Sequence, residues 1–386
     1  MHRLEVEHGL GLVLLGFLYV FLHVHLDPKF EPRSSIIIRK MSPVNTTSSK
    51  TEQAFSRDML KHIRPLARNS VVLATSVCGN RVKEALVMLK SAIALSRQKL
   101  HLVLMTEDEI IPKLRDPMLG WPPTFMNRVS VEFHPISYPD YVNQTEWRGL
   151  YRLCSTHKLF IADILRHIDA VILLDTDVLF LRPPEEFWEH FSRMNKRQMM
   201  GLTVETELPG QGWYPRHVRG FPIYRDQGVN GGVWLMNLTK LRSSLWSGRI
   251  VKIYQFFKGH IKFGDQDIVS IYFHYYPDDL YLYPCEWNFR TNQCNRLERC
   301  SSVERKGVSV LHGIAGAFHK RGQKNKIAYM PIYRTMDEFT LGSSLRSGLL
   351  DPMKFWLRRL PSTVWCSQVQ DILILGLERF INETET

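Results

Sequence analysis

Val171 to Leu181 reads VILLDTDVLFL, an apolar run broken only by Asp175, Thr176 and Asp177. A strand covered on both faces shows continuous hydrophobics, so two carboxylates at its end carry a desolvation cost that a bound cation would offset. Side chains two apart on an extended segment point the same way. Where such a strand turns into a loop, both carboxylates can reach one hard divalent metal. A metal with coordination positions left open can hold a diphosphate. The plainer alternative is that Asp175 and Asp177 cap the strand and accept from turn amides.

The flanking sequence places this run in an α/β fold. Val71 to Ala74 reads as a short strand, Cys78-Gly79-Asn80 as a turn, and Arg81 to Ser96 as a helix with Val82, Leu86, Leu89 and Ile93 at helical spacing. Leu102 to Met105 follows as a second strand. Strand, turn, helix, strand opens a doubly wound sheet, whose ligands sit at the carboxyl ends of the strands. Cys78, Gly79, Asn80 and Asp108 are therefore expected where a nucleotide would lie, although Gly79 could equally serve only the turn. Val131 to Ile136 reads as another strand. Lys158 to Ile168 reads as a helix leading into the acidic strand, with Lys158 either reaching a phosphate or solvated.

Downstream, Glu205 to Gln227 is a long loop rich in proline, glycine and aromatics, of the kind that usually carries function. Its rings suit sugar faces or anchor the loop. Gly228-Val229-Asn230-Gly231-Gly232 precedes the strand Val233 to Met236. Adjacent glycines there admit a ligand close to the backbone, and Asn230 offers a donor and an acceptor. Gly264-Asp265-Gln266-Asp267 opens a helix, with Asp265 or Asp267 as its N-cap or in a functional role. Val308 to Leu311 is a last strand ending in His312-Gly313. A histidine at a strand end can complete a metal shell begun by two aspartates, though lone histidines are more often structural.

Composition narrows the class. The chain has 386 residues, a formal net charge of +12 and 44% hydrophobic residues, enough for a full core. Its basic excess lies late, with nine Lys or Arg against three acids from Lys320 to Leu360. There is no dense basic stripe, zinc pattern or RNA-binding signature, so nucleic acid is not expected as a partner. Six cysteines without paired CxxC spacing allow disulfides whose pairing the sequence does not choose, and Cys78 could stay a buried thiol.

Gly9 to Leu22, extended to Leu26, is an apolar run near the lower limit for a membrane span and lacks a cleavage site, which suggests a signal anchor. Lys29, Arg33, Arg39 and Lys40 after the run oppose a luminal C-terminus. Sequons at Asn45, Asn143, Asn237 and Asn382, with the cysteine count, favour an oxidising lumen instead. The organisation expected is a cytoplasmic tail (1–8), an anchor (9–26), a flexible stem (27–69), a catalytic domain (70–335) and a helical extension (336–386).

Five motifs in order, LLDTDVLFLRP (173–183), GVNGGVWLMN (228–237), GDQD (264–267), PCEWNFR (284–290) and LHG (311–313), resemble glycosyltransferase family 8, and within it the glucoside xylosyltransferases. The resemblance covers about Val71 to Tyr333. It implies a GT-A type nucleotide-sugar domain in which Asp175, Asp177 and His312 bind manganese, which in turn holds the UDP diphosphate. Thr176, Lys158, Asn230, Gly231, Gly232 and Gly313 would line the donor, and Asp265 and Gln266 would act at the transferred sugar. Relatives often carry a lysine soon after the HG pair. Here Ile314-Ala315-Gly316 follows, leaving Lys320 as the candidate.

The resemblance further implies a retaining enzyme moving xylose from UDP-xylose in α1,3 linkage to O-linked glucose on EGF-like repeats of Notch type, as a single-pass type II protein of the Golgi or ER membrane. Same-face substitution would leave the diphosphate oxygen to take the acceptor proton, with Gln266 stabilising charge. The alternatives are a family member using UDP-glucose or UDP-galactose, one that extends xylose already attached, or a catalytically silent, membrane-tethered binding protein.

Overall fold

In the computed structural model, the described residues are 70–294, 300–319, 327–363 and 365–385. The expected anchor (9–26), stem (27–69), Asn45 and Lys320 lie outside them. Within them, no helix is long and apolar enough to cross a membrane.

The first four strands of the chain form the parallel half of a large sheet. They are β1 (Val71–Val77), β2 (Leu100–Thr106), β3 (Val129–Pro135) and β4 (Ala170–Leu174). β1 pairs in parallel with both β2 and β4, and β2 with β3. VVLATSV and LHLVLMT are buried almost throughout, as strands covered on both faces require. Between β1 and β2 runs α1 (Val82–Leu95), where the apolar spacing put it.

β5 (Val178–Phe180) lies just beyond the DTD turn, so the single apolar run of the sequence is two strands in two sheets. β6 (Met200–Val204), β7 (Val229–Asn237) and β8 (Leu280–Leu282) finish the large sheet in the order β3-β2-β1-β4-β7-β6-β8. β7 runs antiparallel to β4 and β6, which makes the sheet mixed. β9 (Phe289–Arg290) and β10 (Val310–His312) join β5 in a small sheet of order β5-β10-β9. The DTD turn is thus the hinge between the sheets, and His312, paired in register with Val178, is brought back beside it.

Helices cover both faces. α2 (Ile111–Leu119) packs with α1 on one side, and α3 (Trp246–Phe257) and α4 (Asp265–Tyr275) on the other. Two expectations change. Lys158 to Ile168 is not one helix but a 3₁₀ turn, Ser155–Phe160, followed by a single α-turn, Ile161–Ile164. Thr156 through Phe160 are all buried in the 3₁₀ turn, and the exposed Arg166 and His167 already lie in the turn before β4. The N-cap of α4 is Gly264, at φ 57°, and neither aspartate caps it.

The stretch 336–386 packs into the same core as α1 and the strands. α5 (Tyr329–Glu338) runs across residue 335, and α6 (Gln370–Glu385) buries Leu373, Ile374, Leu377, Phe380 and Ile381, an i, i+1, i+4, i+7, i+8 stripe. All six cysteines are paired, as Cys78–Cys154, Cys285–Cys300 and Cys294–Cys366. The last ties α6's approach to the segment after β9.

α6 meets the chain entering β10 at a backbone-to-backbone contact. Val308 N donates to Ile372 O at 3.0 Å, and a Cβ on Gly376 would stand 2.2 Å from Val308 O. On a free helix, Gly→Ala gains roughly 0.5–1 kcal/mol. Here Gly376→Ala is expected to lose about 1–3 kcal/mol through overpacking, read as a lower urea midpoint. A raised midpoint would mean that α6 is not docked in this way.

Candidate active site

The carboxyl ends of β1 and β4, the start of β7 and the start of α4 surround a cavity of about 650 Å³. Ligand atoms of Asp175, Asp177 and His312 all lie within 4.8 Å of one another on its wall. His312 Nε2 is 3.5 Å from Asp177 Oδ1 and 3.8 Å from Asp175 Oδ2. Its Nδ1 bonds Asn288 Oδ1 at 2.8 Å, and since an amide oxygen only accepts, Nδ1 carries a hydrogen and Nε2 is the nitrogen turned to the carboxylates, where a metal would take the place of a proton. Asn288 is itself held, its Nδ2 donating to Asn230 Oδ1 at 2.8 Å. Two carboxylates and an oriented imidazole suit a divalent cation.

Glycine is required at 232 for this geometry. A Cβ there would lie 2.1 Å from His312 Cε1. The Gly232 carbonyl also accepts from Asp175 N at 2.8 Å and fixes the DTD backbone.

Lys158 is the buried cation of the site. Its Nζ donates to Asp175 Oδ1 at 2.8 Å and Gly231 O at 2.7 Å, and pairs with Asp265 Oδ2 at 2.8 Å. Burial pulls its pKa down, and the carboxylates of Asp175 and Asp265 more than reverse that, so it stays charged. Burial pushes Asp265 up to about 6, Lys158 opposing and Asp175 adding. Asp177 is held below its usual range: burial alone would raise it, but the His312 hydrogen bond and the charges of His312, Arg81 and Arg152 outweigh that.

On the sugar side, Asn230 Nδ2 donates to Glu205 Oε2 at 2.9 Å, and Gln266 Oε1 stands 3.4 Å from both Asn230 Nδ2 and Gly231 N. Asp267 points away from the cavity. It accepts from Lys262 N, Phe263 N and Tyr214 OH, and so builds the turn before α4. Tyr214 thus anchors the long loop, one of the two uses expected of its aromatics, while Trp213 lines the cavity.

Of the residues expected from sequence, Cys78, Lys158, Asp175, Thr176, Asp177, Asn230, Gly231, Gly232, Asp265, Gln266 and His312 line the cavity. Gly79, Asn80 and Asp108 are exposed outside its lining, with Gly79 N turned to Glu107 Oε2 at 3.3 Å. Gly313 shapes the turn, donating from N to Asp177 O at 2.7 Å.

Sequence reading missed Arg81, Arg152, Glu205, Asn288 and Arg290. Arg290 is fully buried, donating to Val204 O, Glu205 O and Asn288 O. A charged residue directly after the aromatics of WNFR was the available signal, since arginine is rarely buried without partners.

The sequence model described as Glycosyl transferase family 8 matches residues 72–317. The chain belongs to glycosyltransferase family 8. Glucoside xylosyltransferase 2 of Mus musculus is 34% identical over 318 residues, covering 80% of this chain and 70% of that protein. Glucoside xylosyltransferase 1 of Danio rerio is 32% identical over 359 residues, covering 90% and 85%. The solved structure of the galactosyltransferase LgtC, with donor and acceptor sugar analogues, aligns over 72% of this chain and all of its own, at 17% identity and a TM-score of 0.53.

The family 8 chain is a UDP-sugar glycosyltransferase with a GT-A-like fold, a mixed central sheet flanked by helices. In this transferase Gly232→Ala is expected to push the His312 ring off its position and cut kcat/KM about 10–100-fold, with the circular dichroism spectrum unchanged. Full activity in that variant would show that the ring is not needed where it stands.

Proposed function

We propose that this transferase moves xylose from UDP-xylose, with retention and in α1,3 linkage, onto O-linked glucose of EGF-like repeats, and depends on manganese. The observation that carries the donor reading is the joint occurrence of the Asp175, Asp177 and His312 triad with identity of 34% and 32% to two glucoside xylosyltransferases.

The chain's own residues support each part. Asp175, Asp177 and the His312 Nε2 lone pair would hold the metal, which when bound supplies Lewis-acid stabilisation of the leaving diphosphate. Lys158 orients Asp175 by donating to its Oδ1, and Arg81 and Arg152 add positive charge on the Asp177 side. Retaining glycosidases use a free carboxylate nucleophile about 5 Å from their acid. Here Asp265 is paired with Lys158, and Glu205 accepts from Asn230 and lies 3.5 Å from Arg290 Nε. Both sugar-side carboxylates are thus engaged, which favours same-face substitution in which Gln266 stabilises charge and the departing diphosphate oxygen takes the acceptor proton.

For location, we propose a type II protein of the Golgi or ER membrane with a luminal catalytic domain, anchored through residues 9–26. The pairing of every cysteine and the exposure of the sequon asparagines Asn143 and Asn382 favour an oxidising, glycosylating compartment.

UDP release tests the reading, using UDP-xylose, UDP-glucose, UDP-galactose and UDP-N-acetylglucosamine with and without an O-glucosylated EGF repeat. Release from UDP-xylose, stimulated by the repeat and abolished by EDTA, is expected; release from another donor would overturn the specificity. Asp177→Asn is expected to abolish transfer and keep the fold, and near-normal turnover in it would remove the proposed metal site.

A further inference from the structure

Outside the donor cavity, at the β3 edge of the large sheet, three histidines converge on one carboxylate. β2 and β3 pair with His101 opposite Ser130, so Glu132 and His134 follow Ser130 at two-residue intervals on one face. His167 reaches the same carboxylate from the turn that leads into β4. Glu132 Oε1 lies 3.0 Å from His167 Nε2, 3.1 Å from His134 Nε2 and 3.5 Å from His101 Nε2. Ligand atoms of Glu132, His134 and His167 all fall within 4.8 Å of one another.

These separations are close to those of a coordination shell. With zinc–nitrogen and zinc–oxygen bonds near 2.1 Å, neighbouring ligand atoms of a tetrahedron stand about 3.4 Å apart.

His101 supplies an independent observation. Its side chain is 3% exposed, Nδ1 is bonded to Ser130 Oγ at 2.7 Å, and Nε2 is buried with no hydrogen-bond partner while facing Glu132. A metal-ligating imidazole commonly has its second nitrogen held in this way. A cation between Nε2 and the carboxylate would satisfy both.

We propose that Glu132, His134 and His167 form a second metal site, for a divalent ion of the zinc class, with His101, whose Nε2 stands 3.5 Å from Glu132 Oε1 but outside that close group, drawn in as the fourth ligand. Imidazole ligands with a carboxylate suit zinc, and once His101 completes the three-residue group the ion has no open position, which makes the site structural rather than catalytic. The ion clips the edge strand β3 and its neighbour β2 to the turn entering β4, the strand that ends at Asp175.

The test uses the full-length protein, stripped with a chelator and then titrated with zinc and, separately, with cobalt. Wild type is expected to retain about one zinc per chain after dialysis against manganese, and to give the intense visible bands of tetrahedral cobalt. His167→Ala, at a half-exposed ring, and His134→Gln should each weaken zinc binding about 10–100-fold and lose those bands. Manganese-dependent UDP release by His167→Ala should be unchanged. Asp177→Asn, in contrast, should keep the zinc and the cobalt bands. Equal zinc affinity in wild type and both histidine variants, or loss of the zinc in Asp177→Asn alone, would overturn the site and leave a hydrogen-bonded cluster.

Discussion

The active site depends on one buried ammonium. Lys158 stands between Asp175 and Asp265 and also holds the Gly231 carbonyl, so a single charge joins the DTD turn, the start of β7 and the start of α4. Removing one partner of such a buried pair strands the other charge, at a cost of about 3–5 kcal/mol. The arrangement is less a source of net stability than a device that fixes three chain segments at one point. It also leaves the two carboxylates in different places: Asp175 keeps its Oδ2 on the His312 side, at the metal position, whereas Asp265 is buried and pushed up to about 6.

Around this point the structure divides the work between backbone and side chains. The DTD turn connects two sheets, so Asp175 follows β4 of the large one and Asp177 precedes β5 of the small one. β10 carries His312 back into register with β5, and a run from His312 through Asn288 to Asn230 links the metal position to the sugar side by two hydrogen bonds. Gly232 gives the imidazole its space. The Cys78–Cys154 bridge ties the end of β1 to the residue preceding the 3₁₀ turn that bears Lys158.

Much of this was legible in the sequence because it is written as local pattern. Continuous apolar runs marked β1, β2 and β4, helical spacing marked α1, and the acidic turn, the glycine pair and His312 marked the cavity. What the sequence withheld depends on pairing across distance. Arg290 looks like a surface cation until Val204, Glu205 and Asn288 turn out to supply its acceptors. The disulfide pairings belong to the fold and not to the spacing, and the helix expected from Lys158 to Ile168 is broken into a buried 3₁₀ turn, one α-turn and the exposed turn at Arg166 and His167. Asp108, at a strand end in the expected place, faces solvent because Arg148 and Gly79 both engage its neighbour Glu107 instead.

The docking of α6 has a consequence for biosynthesis. β10 bears the histidine of the metal triad, yet the chain entering β10 is braced by Ile372 and Gly376, which are made well after it. A growing chain that has already made both aspartates, the histidine and the lysine still lacks the helix that holds β10 against the rest. The catalytic centre is therefore completed only once α6 has been made. Until then, the nascent protein exposes the apolar face that α6 will cover.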